Sequence, residues 1–201
     1  MSTRNLKTNR PAIFLDRDGV LNREVGNLSN IEDFILIPKV AKAIKKINQA
    51  DFYAVVITNQ PVIAKGFCTW KELLDIHKKM ETELLKEGAK LDAIYFCPHH
   101  PDKGFEGEVK KYKIDCNCRK PKHGMILRAA ADLNIDLKKS VMIGDSTTDR
   151  EMSLRAGVGF VGVKTGHGLK DNQYLFKSKP VMAGDLNSAV NKILKSTRNG
   201  L

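Results

Sequence analysis

Short apolar runs and segments of helical periodicity alternate along the chain. Continuous apolar, β-branched runs are typical of strands covered on both faces. The sequence predicts five such strands, at residues 12–15, 52–57, 91–96, 141–143 and 158–163. Helices are predicted at 38–50 with Pro38 in the first turn, from Thr69 onwards, at 122–133, around 150–155, and from Asp185 to about Lys195. Thr69 and Glu72 have the spacing of a capping box at the start of the second helix.

This alternation predicts an α/β, Rossmann-like fold of three layers, in which a central, mainly parallel sheet carries helices on both faces. We expect residues 1–10 to form a flexible basic tail and residues 11–198 to form a single domain. Only about 40 residues separate the polar ends of the first two strands, which leaves no room for a large cap domain. The polar segment 97–121 is longer than an ordinary connection, and loops of that length are commonly functional.

The composition excludes several classes of protein. With 201 residues, 28% of them charged and apolar runs throughout, the chain can bury a core and is not disordered as a whole. No apolar stretch approaches the ~18 residues of a membrane span, and the basic N-terminus lacks the apolar region of a secretory signal. We therefore expect a cytoplasmic protein. The net charge of +11 is spread along the chain like solvated surface charge, and the lack of a long apolar surface stripe favours a monomer.

Polar residues follow three of the predicted strands. Asp16 and Asp18 follow the first, Thr58 follows the second, and Asp145 follows the fourth, with Asp149 four residues further on. A single acidic strand end is commonly a turn or cap residue, but in a parallel sheet three polar strand ends share the edge where ligands bind. Carboxylates that converge there repel one another, and a cation that prefers oxygen ligands, such as Mg²⁺, relieves the repulsion.

The same cluster predicts phosphoryl transfer. An ionised aspartate can attack phosphorus and form an aspartyl-phosphate that water hydrolyses. Asp16 and Asp18 are two residues apart, on the same side of an extended strand, so the second can protonate the leaving oxygen while the first attacks. A hydroxyl, an amide and a lysine would then hold the equatorial phosphate oxygens.

A second cluster lies within the long polar segment. Cys97 and His99 are followed, after a spacer, by Cys116 and Cys118. Two close pairs of sulfur and nitrogen ligands fit a tetrahedral Zn²⁺ site, and a structural metal would supply folding free energy that a polar loop lacks. His100 is an alternative ligand to His99, and loose reduced thiols are the alternative to a metal site.

The strand-end motifs resemble those of the haloacid dehalogenase-like (HAD) phosphatases. Residues 16–22 are similar to the first motif, D-x-D-G-[TV], and Thr58-Asn59-Gln60 is similar to the second. Lys120, within Arg119-Lys120-Pro121, is similar to the third motif, and Gly144-Asp145-x-x-x-Asp149 to the fourth. The four motifs occur in order, at the strand ends, over residues 12–165.

The resemblance implies a role for each of these side chains. Asp16 would be the nucleophile and Asp18 the general acid and base, while Thr58 and Lys120 would stabilise the phosphoryl group. Mg²⁺ would be held by Asp16, by the backbone carbonyl of Asp18 and by Asp145, with Asp149 supporting these ligands.

The zinc loop, residues 97–121, contains the four candidate zinc ligands and leads directly into the third motif. It indicates which HAD phosphatases the chain resembles. It is similar to the loop of bacterial D-glycero-D-manno-heptose 1,7-bisphosphate 7-phosphatases and of histidinol-phosphate phosphatases. The stretch Asn59-Gln60-x-x-Ile63-Ala64-Lys65-Gly66-Phe67 favours the heptose enzymes. The resemblance implies a small phosphorylated sugar as substrate, Mg²⁺ and Zn²⁺ as cofactors, and a step in nucleotide-activated heptose biosynthesis. The residues it implies in substrate binding are Glu24, Val25, Gly26, Asn27, Asn59, Gln60, Pro61, Lys65, Arg119 (for the second phosphate) and Ser146.

The chain departs from the heptose pattern in four places. Ser146 stands where a lysine is usual, Lys65 where an arginine is common, and Pro61-Val62 where Ser-Gly is usual. Residues 104–109 are an extra stretch within the zinc loop, which either shapes the pocket rim or is a longer surface loop. These changes keep the phosphatase chemistry and leave the sugar and its anomer open.

Three other functions are alternatives to a heptose-bisphosphate phosphatase. A histidinol-phosphate phosphatase would share the zinc loop. A 3′-phosphatase acting on nucleic acid would explain the positive charge, but aromatic residues make up only 6% of the chain and form no basic stripe for stacking, so we expect no nucleic-acid partner. A catalytically silent, zinc-stapled binding protein is disfavoured because every residue that the chemistry needs is present.

Overall fold

The computed structural model describes residues 9–176 and 178–198, so most of the predicted basic tail lies outside the described residues. Its six strands are Ala12–Leu15 (β1), Tyr53–Asn59 (β2), Ala93–Cys97 (β3), Val141–Gly144 (β4), Gly159–Val163 (β5) and Val181–Ala183 (β6). They form one sheet in the order β3-β2-β1-β4-β5-β6, and every pairing between them is parallel. Arg10, at the end of the predicted tail, donates a hydrogen bond to the carbonyl of Phe52 at 2.7 Å.

Helices cover both faces of this sheet. They are Val40–Gln49 (α1), Trp70–Lys86 (α2), Gly124–Leu133 (α3), Thr147–Ala156 (α4) and Leu186–Arg198 (α5). Alternate residues of β1 point to opposite faces: Ile13 and Leu15 pack in one buried cluster with α1, α2 and α5, whereas Ala12 and Phe14 pack in another with α3 and α4. The predicted three-layer α/β fold is confirmed.

The helix starts follow the sequence signals with one exception. In the capping box of α2, the backbone N of Thr69 donates to Glu72 at 2.8 Å, and the backbone N of Glu72 donates to the Thr69 hydroxyl at 3.2 Å. Asp185 accepts from the backbone N of Ser188 at 2.7 Å, as expected for a cap. The placement of Pro38 in the first turn of α1 was wrong, because Lys39 adopts a left-handed φ of 70° and the helix begins only after it.

The sixth strand was not predicted from the sequence. β6 has three residues, of which Val181 is 56% exposed, so it has neither the length nor the continuous burial that marks the other strands. It extends the sheet beyond β5, far from the strand ends that carry the acidic motifs. Within the described residues, no helix is both long enough and apolar enough to cross a membrane.

Candidate active site

The side chains at the carboxyl ends of β1 and β4 meet around the ammonium group of Lys120. Its Nζ lies 2.7 Å from Oδ1 of Asp16 and 2.7 Å from Oδ1 of Asp149, and it donates to the carbonyl of Ile57 at 3.3 Å. All three charged side chains are buried. Burial lowers the pKa of Lys120, but the carboxylates of Asp149 and Asp16 outweigh it and raise the pKa above its ordinary range, so the lysine is charged.

Three buried carboxylates converge on this point. One oxygen from each of Asp16, Asp145 and Asp149 lies within 4.8 Å of the others. Burial, together with the charges of Asp149 and Asp145, raises the pKa of Asp16 well above its ordinary value, and burial with the charge of Asp149 raises the pKa of Asp145 to about 7. One ammonium group cannot neutralise three carboxylates, and an all-oxygen donor set is what Mg²⁺ prefers. The residues present therefore fit a magnesium site.

Asp18, two residues after Asp16, is held by a separate set of donors. Its carboxylate accepts hydrogen bonds from Arg17 at 2.9 Å, from Nδ2 of Asn22 at 2.9 Å and from Nε2 of Gln60 at 2.8 Å. Burial alone would raise the pKa of Asp18, but the Arg17 guanidinium and these hydrogen bonds bring it below its ordinary value. The Gln60 amide also donates to the Thr58 hydroxyl at 2.9 Å, so the predicted first and second motifs are joined.

Asn59, at the end of β2, fixes the third motif in place. Its Oδ1 accepts from the backbone N of Lys120 at 3.0 Å, and its Nδ2 donates to the backbone carbonyl of Lys120 at 3.3 Å. The long polar loop is thereby attached to the sheet edge at the residue that carries the ammonium group.

The predicted substrate-binding residues lie on loops around this edge. Lys65 Nζ donates to Oδ1 of Asn27 at 3.2 Å, which links the turn after β2 to the loop after β1. Glu24 Oε2 lies 3.8 Å from Nε2 of His167, whose backbone N donates to Asp145 at 2.7 Å.

Other predicted substrate-binding residues have contacts of their own. Gly26 donates its backbone N to the Glu24 carboxylate at 2.5 Å, beside the half-exposed Val25. The carbonyl of Pro61 accepts from the backbone N of Lys65 at 2.9 Å.

Ser146 has a structural role that the sequence did not indicate. It is the N-cap of α4, and its hydroxyl is hydrogen-bonded to Asp149 and to Thr148, both at 2.7 Å. Its role in substrate binding stays a prediction.

Cys97, His99, Cys116 and Cys118 form a compact ligand group. Their sulfur atoms and Nδ1 of His99 lie within 4.8 Å of one another, with separations such as 3.1 Å between Cys118 and Cys97 and 3.3 Å between His99 and Cys118. These separations exceed the ~2.05 Å of a disulfide and approach the roughly 3.8 Å edge of a tetrahedron with Zn–S bonds of ~2.3 Å. The residues fit a zinc site. His100 lies outside the group, with Nε2 3.7 Å from Asp102.

Two residues of this site were not predicted from the sequence. Arg17, which lies between the two aspartates of the first motif in the sequence, is fully buried. His77 of α2 accepts a hydrogen bond from its guanidinium. The position of Arg17 between two acidic residues is the sequence feature that could have indicated its contact with Asp18. His77 gave none, because a histidine on a helix is commonly a surface residue.

The comparisons with known proteins agree with this geometry. The model of the HAD-hydrolase-like family matches residues 117–187. The chain is 43% identical over 157 residues to D-glycero-beta-D-manno-heptose-1,7-bisphosphate 7-phosphatase of Yersinia pestis, covering 78% of this chain and 81% of that protein. It is 40% identical over 188 residues to the corresponding 7-phosphatase of Thermosynechococcus vestitus, covering 90% and 94%. The chain belongs to the heptose-bisphosphate 7-phosphatase family.

A solved structure of a family member has the same fold. The D,D-heptose 1,7-bisphosphate phosphatase from B. bronchiseptica, complexed with magnesium and phosphate, superposes with a TM-score of 0.81 at 33% identity, covering 92% of this chain and 99% of that one. The prediction of a HAD-type phosphatase, a phosphoric monoester hydrolase, is thus confirmed at the level of the family.

Proposed function

We propose that this protein removes the 7-phosphate of D-glycero-D-manno-heptose 1,7-bisphosphate in the synthesis of nucleotide-activated heptose. The observation that carries the proposal is the 2.7 Å contact between Asp16 and Lys120 beside the hydrogen-bonded carboxylate of Asp18. This arrangement supports the proposal because it would bring a nucleophile, a cation for the phosphate oxygens and a proton carrier close together. The 43% identity to a named 7-phosphatase supports the choice of substrate.

In the first half of the proposed reaction, a carboxylate oxygen of Asp16 attacks phosphorus, and the bond from phosphorus to the sugar oxygen breaks. Asp18, a carboxylate in the free protein, would take up a proton as the anionic substrate binds, and it gives this proton to the leaving oxygen, which departs as the sugar hydroxyl. Lys120 and the Thr58 hydroxyl hold the phosphate oxygens, where negative charge accumulates. The product on the enzyme is an aspartyl-phosphate at Asp16.

In the second half, water hydrolyses the aspartyl-phosphate. Asp18, now a carboxylate, takes a proton from the water as it attacks phosphorus, and the bond to the Asp16 oxygen breaks. Inorganic phosphate leaves and both aspartates return to their starting state. Asp16, Asp145 and the backbone carbonyl of Asp18 would hold Mg²⁺, whose positive charge would let an anionic nucleophile approach an anionic phosphate.

We propose that the cysteine and histidine group binds Zn²⁺ and shapes the loop that carries Arg119 and Lys120. These two residues directly follow Cys118, and Arg119 Nη1 donates to the carbonyl of His99 at 3.1 Å. A metal at this position would therefore fix the phosphate-binding lysine and aim the guanidinium at the second phosphate. A planar guanidinium is well suited to phosphate because it can bind two oxygens at once.

The relatives favour the heptose substrate over histidinol phosphate, since those reported above carry the heptose name. Specificity would come from the short loops around the site, including residues 24–27, since the substrate is a small diffusible sugar. We expect the enzyme to act as a monomer in the cytoplasm, with no nucleic-acid or membrane partner.

The test is phosphate release in the presence of Mg²⁺ from both anomers of heptose 1,7-bisphosphate, from histidinol phosphate and from a 3′-phosphorylated oligonucleotide. We expect turnover of one heptose anomer, which the Asp16→Asn variant abolishes. Preferential turnover of histidinol phosphate or of the oligonucleotide would overturn the substrate, and turnover that survives in Asp16→Asn would overturn the mechanism.

A further inference from the structure

The extra stretch of residues 104–109 is attached to the active-site rim. The backbone N of Val109 donates to the carbonyl of Ala64, in the turn after β2, at 3.0 Å. In the same turn Gly66 has a φ of +76°, and a Cβ there would overlap the carbonyl of Gly107. The loop is therefore docked on the turn that carries Lys65, which excludes the alternative of an unattached surface loop.

Phe105, in this loop, lies between two lysines. Nζ of Lys65 and Nζ of Lys113 each lie 4.8 Å from the centroid of its ring. The ring of His100 meets the Phe105 ring edge-on at a centroid distance of 5.6 Å. An aromatic face attracts a cation, so a single ring can hold two ammonium groups that would otherwise repel one another.

Lys113 is a buried cation beside the Phe105 ring. Its side chain is only 3% exposed, and its Nζ has no hydrogen-bond partner among the residues that the structure describes. The nearest acid, Glu108, has an oxygen 3.5 Å away that already accepts from the backbone N of Gly104 at 3.0 Å and of Phe105 at 3.3 Å. Lys113 is therefore a buried cation whose ion pair with Glu108 is long and shared with two backbone N–H groups, so its positive charge is only partly offset there.

Lys65 is close enough to Arg119 and to Lys113 for their charges to act on it. Burial lowers the pKa of Lys65, and the positive charges of Arg119 and Lys113 lower it further, while Asp102 opposes them. The positive charges of Lys113 and Arg119 thus both act on Lys65. The hydrogen bond from Lys65 to Asn27 joins this group to the loop of residues 24–27.

We propose that Phe105 is a positioning residue that holds Lys65 and Lys113 at this rim, that the Lys65 ammonium group binds the phosphate that is not cleaved, and that the buried Lys113 adds positive charge behind it. The proposal rests on the proposed function and deepens it, since it makes the loop 104–109 the element that selects a bisphosphate over a monophosphate. Phe105 itself touches no substrate; it acts through the two lysines.

The test compares kcat/KM for heptose 1,7-bisphosphate with kcat/KM for heptose 7-phosphate, which has the same scissile group and lacks the second phosphate. We expect Phe105→Leu to lower the ratio of the two values by about three- to tenfold, as loss of two cation–π contacts implies, with kcat/KM for the monophosphate unchanged. Phe105→Tyr, which keeps an aromatic face, should keep the wild-type ratio.

Lys113→Met keeps the proposal testable if Phe105→Leu folds poorly. We expect it to lower the same ratio while Tm changes little, because the variant loses the long ion pair with Glu108 but no longer has to bury an ammonium group. Lys111→Met is the matched control, since Lys111 lies 4.9 Å over the Tyr112 ring on the same segment but is exposed and outside the group. It should leave the ratio unchanged.

The outcomes separate the two proposals. Turnover of the bisphosphate by the wild-type protein with an unchanged ratio in Phe105→Leu and Lys113→Met would overturn this inference and leave the proposed function standing. A wild-type protein that does not hydrolyse the bisphosphate would overturn the proposed function and the inference together.

Discussion

Arg17 and His77 are in direct contact inside the protein: Nη1 of the arginine lies 3.2 Å from Nε2 of the histidine. Both side chains are buried, and the edge of the guanidinium formed by Nε and Nη2 donates to the carboxylate of Asp18. Since Arg17 is a cation, His77 serves it as a neutral acceptor. A residue of α2 thereby fixes the guanidinium that orients the proton carrier of the proposed reaction.

The first prediction concerns the stability of the protein in acid. Burial, with the nearby charge of Arg17, lowers the pKa of His77 to about 3. Below about pH 6.5 the unfolded chain binds a proton at this residue and the folded protein does not, so stability falls as the pH drops from about 6.5 towards 3. At pH 5 this difference costs about 2 kcal/mol of the free energy of unfolding.

His77→Gln removes the titrating group and keeps a side-chain acceptor for Arg17. Urea unfolding at pH 7.5 and pH 5 should show a smaller loss of stability in the variant, by about 2 kcal/mol. Between pH 7.5 and pH 9 histidine is neutral in both states of the chain, so the difference between the two proteins should stay constant there. An equal loss in both proteins on going to pH 5 would contradict the assignment.

The second prediction concerns Asp16, one of three buried carboxylates that share the Lys120 ammonium group. Asp16→Asn removes the proposed nucleophile, so phosphate release should fall on the order of 10³-fold or more. It also relieves repulsion, so Tm in the presence of a chelator should rise by about 2–6 °C.

Added Mg²⁺ provides the control for this second prediction. It should raise Tm of the wild-type protein and raise that of Asp16→Asn less, because the variant has lost a ligand. A variant that is less stable than wild type without Mg²⁺ would argue against a repulsive cluster.

The third prediction concerns the cysteine and histidine group. We expect about one zinc ion per chain by elemental analysis, and Cys118→Ser should lose it together with at least about 3 kcal/mol of stability. Activity should fall as well, because Lys120 lies two residues beyond this ligand. Cys68→Ser is the matched control: Cys68 is a buried free thiol outside the group, so the variant should keep the metal. Equal zinc content in both variants would refute the site.

The polar strand ends could be predicted from the sequence because two signals coincide there. Asp16, Thr58 and Asp145 each end a continuous apolar run, and parallel strands bring such ends to one edge. Cys97, at the end of β3, follows the same rule, so the proximity of the cysteine and histidine group to the proposed active site also follows from topology.

The Phe105 group and the Arg17–His77 contact could not be predicted, for a physical reason. Phe105 lies 40 residues from Lys65 and 8 from Lys113, and no periodicity or spacing indicates that a polar loop folds back onto the turn after β2. His77 likewise lies 60 residues from Arg17, and its burial depends on how α2 packs against the sheet. Contacts of this kind are set by tertiary packing and are visible only in the structure.

The last prediction tests whether docking of the 104–109 loop matters, without touching any charged group. Gly66→Ala puts a Cβ against the carbonyl of Gly107 at a residue whose φ is +76°, so the loop must move away from the turn. The ratio of kcat/KM for heptose bisphosphate to that for the monophosphate should then fall as in Phe105→Leu. Gly157→Ala is the matched control, because Gly157 has a similar φ of +69° with nothing near its Cβ position. It should cost about 1–2 kcal/mol of stability from backbone strain alone and leave the ratio unchanged. If both variants lose stability equally and keep the ratio, the contact between the loop and the turn has no part in substrate selection.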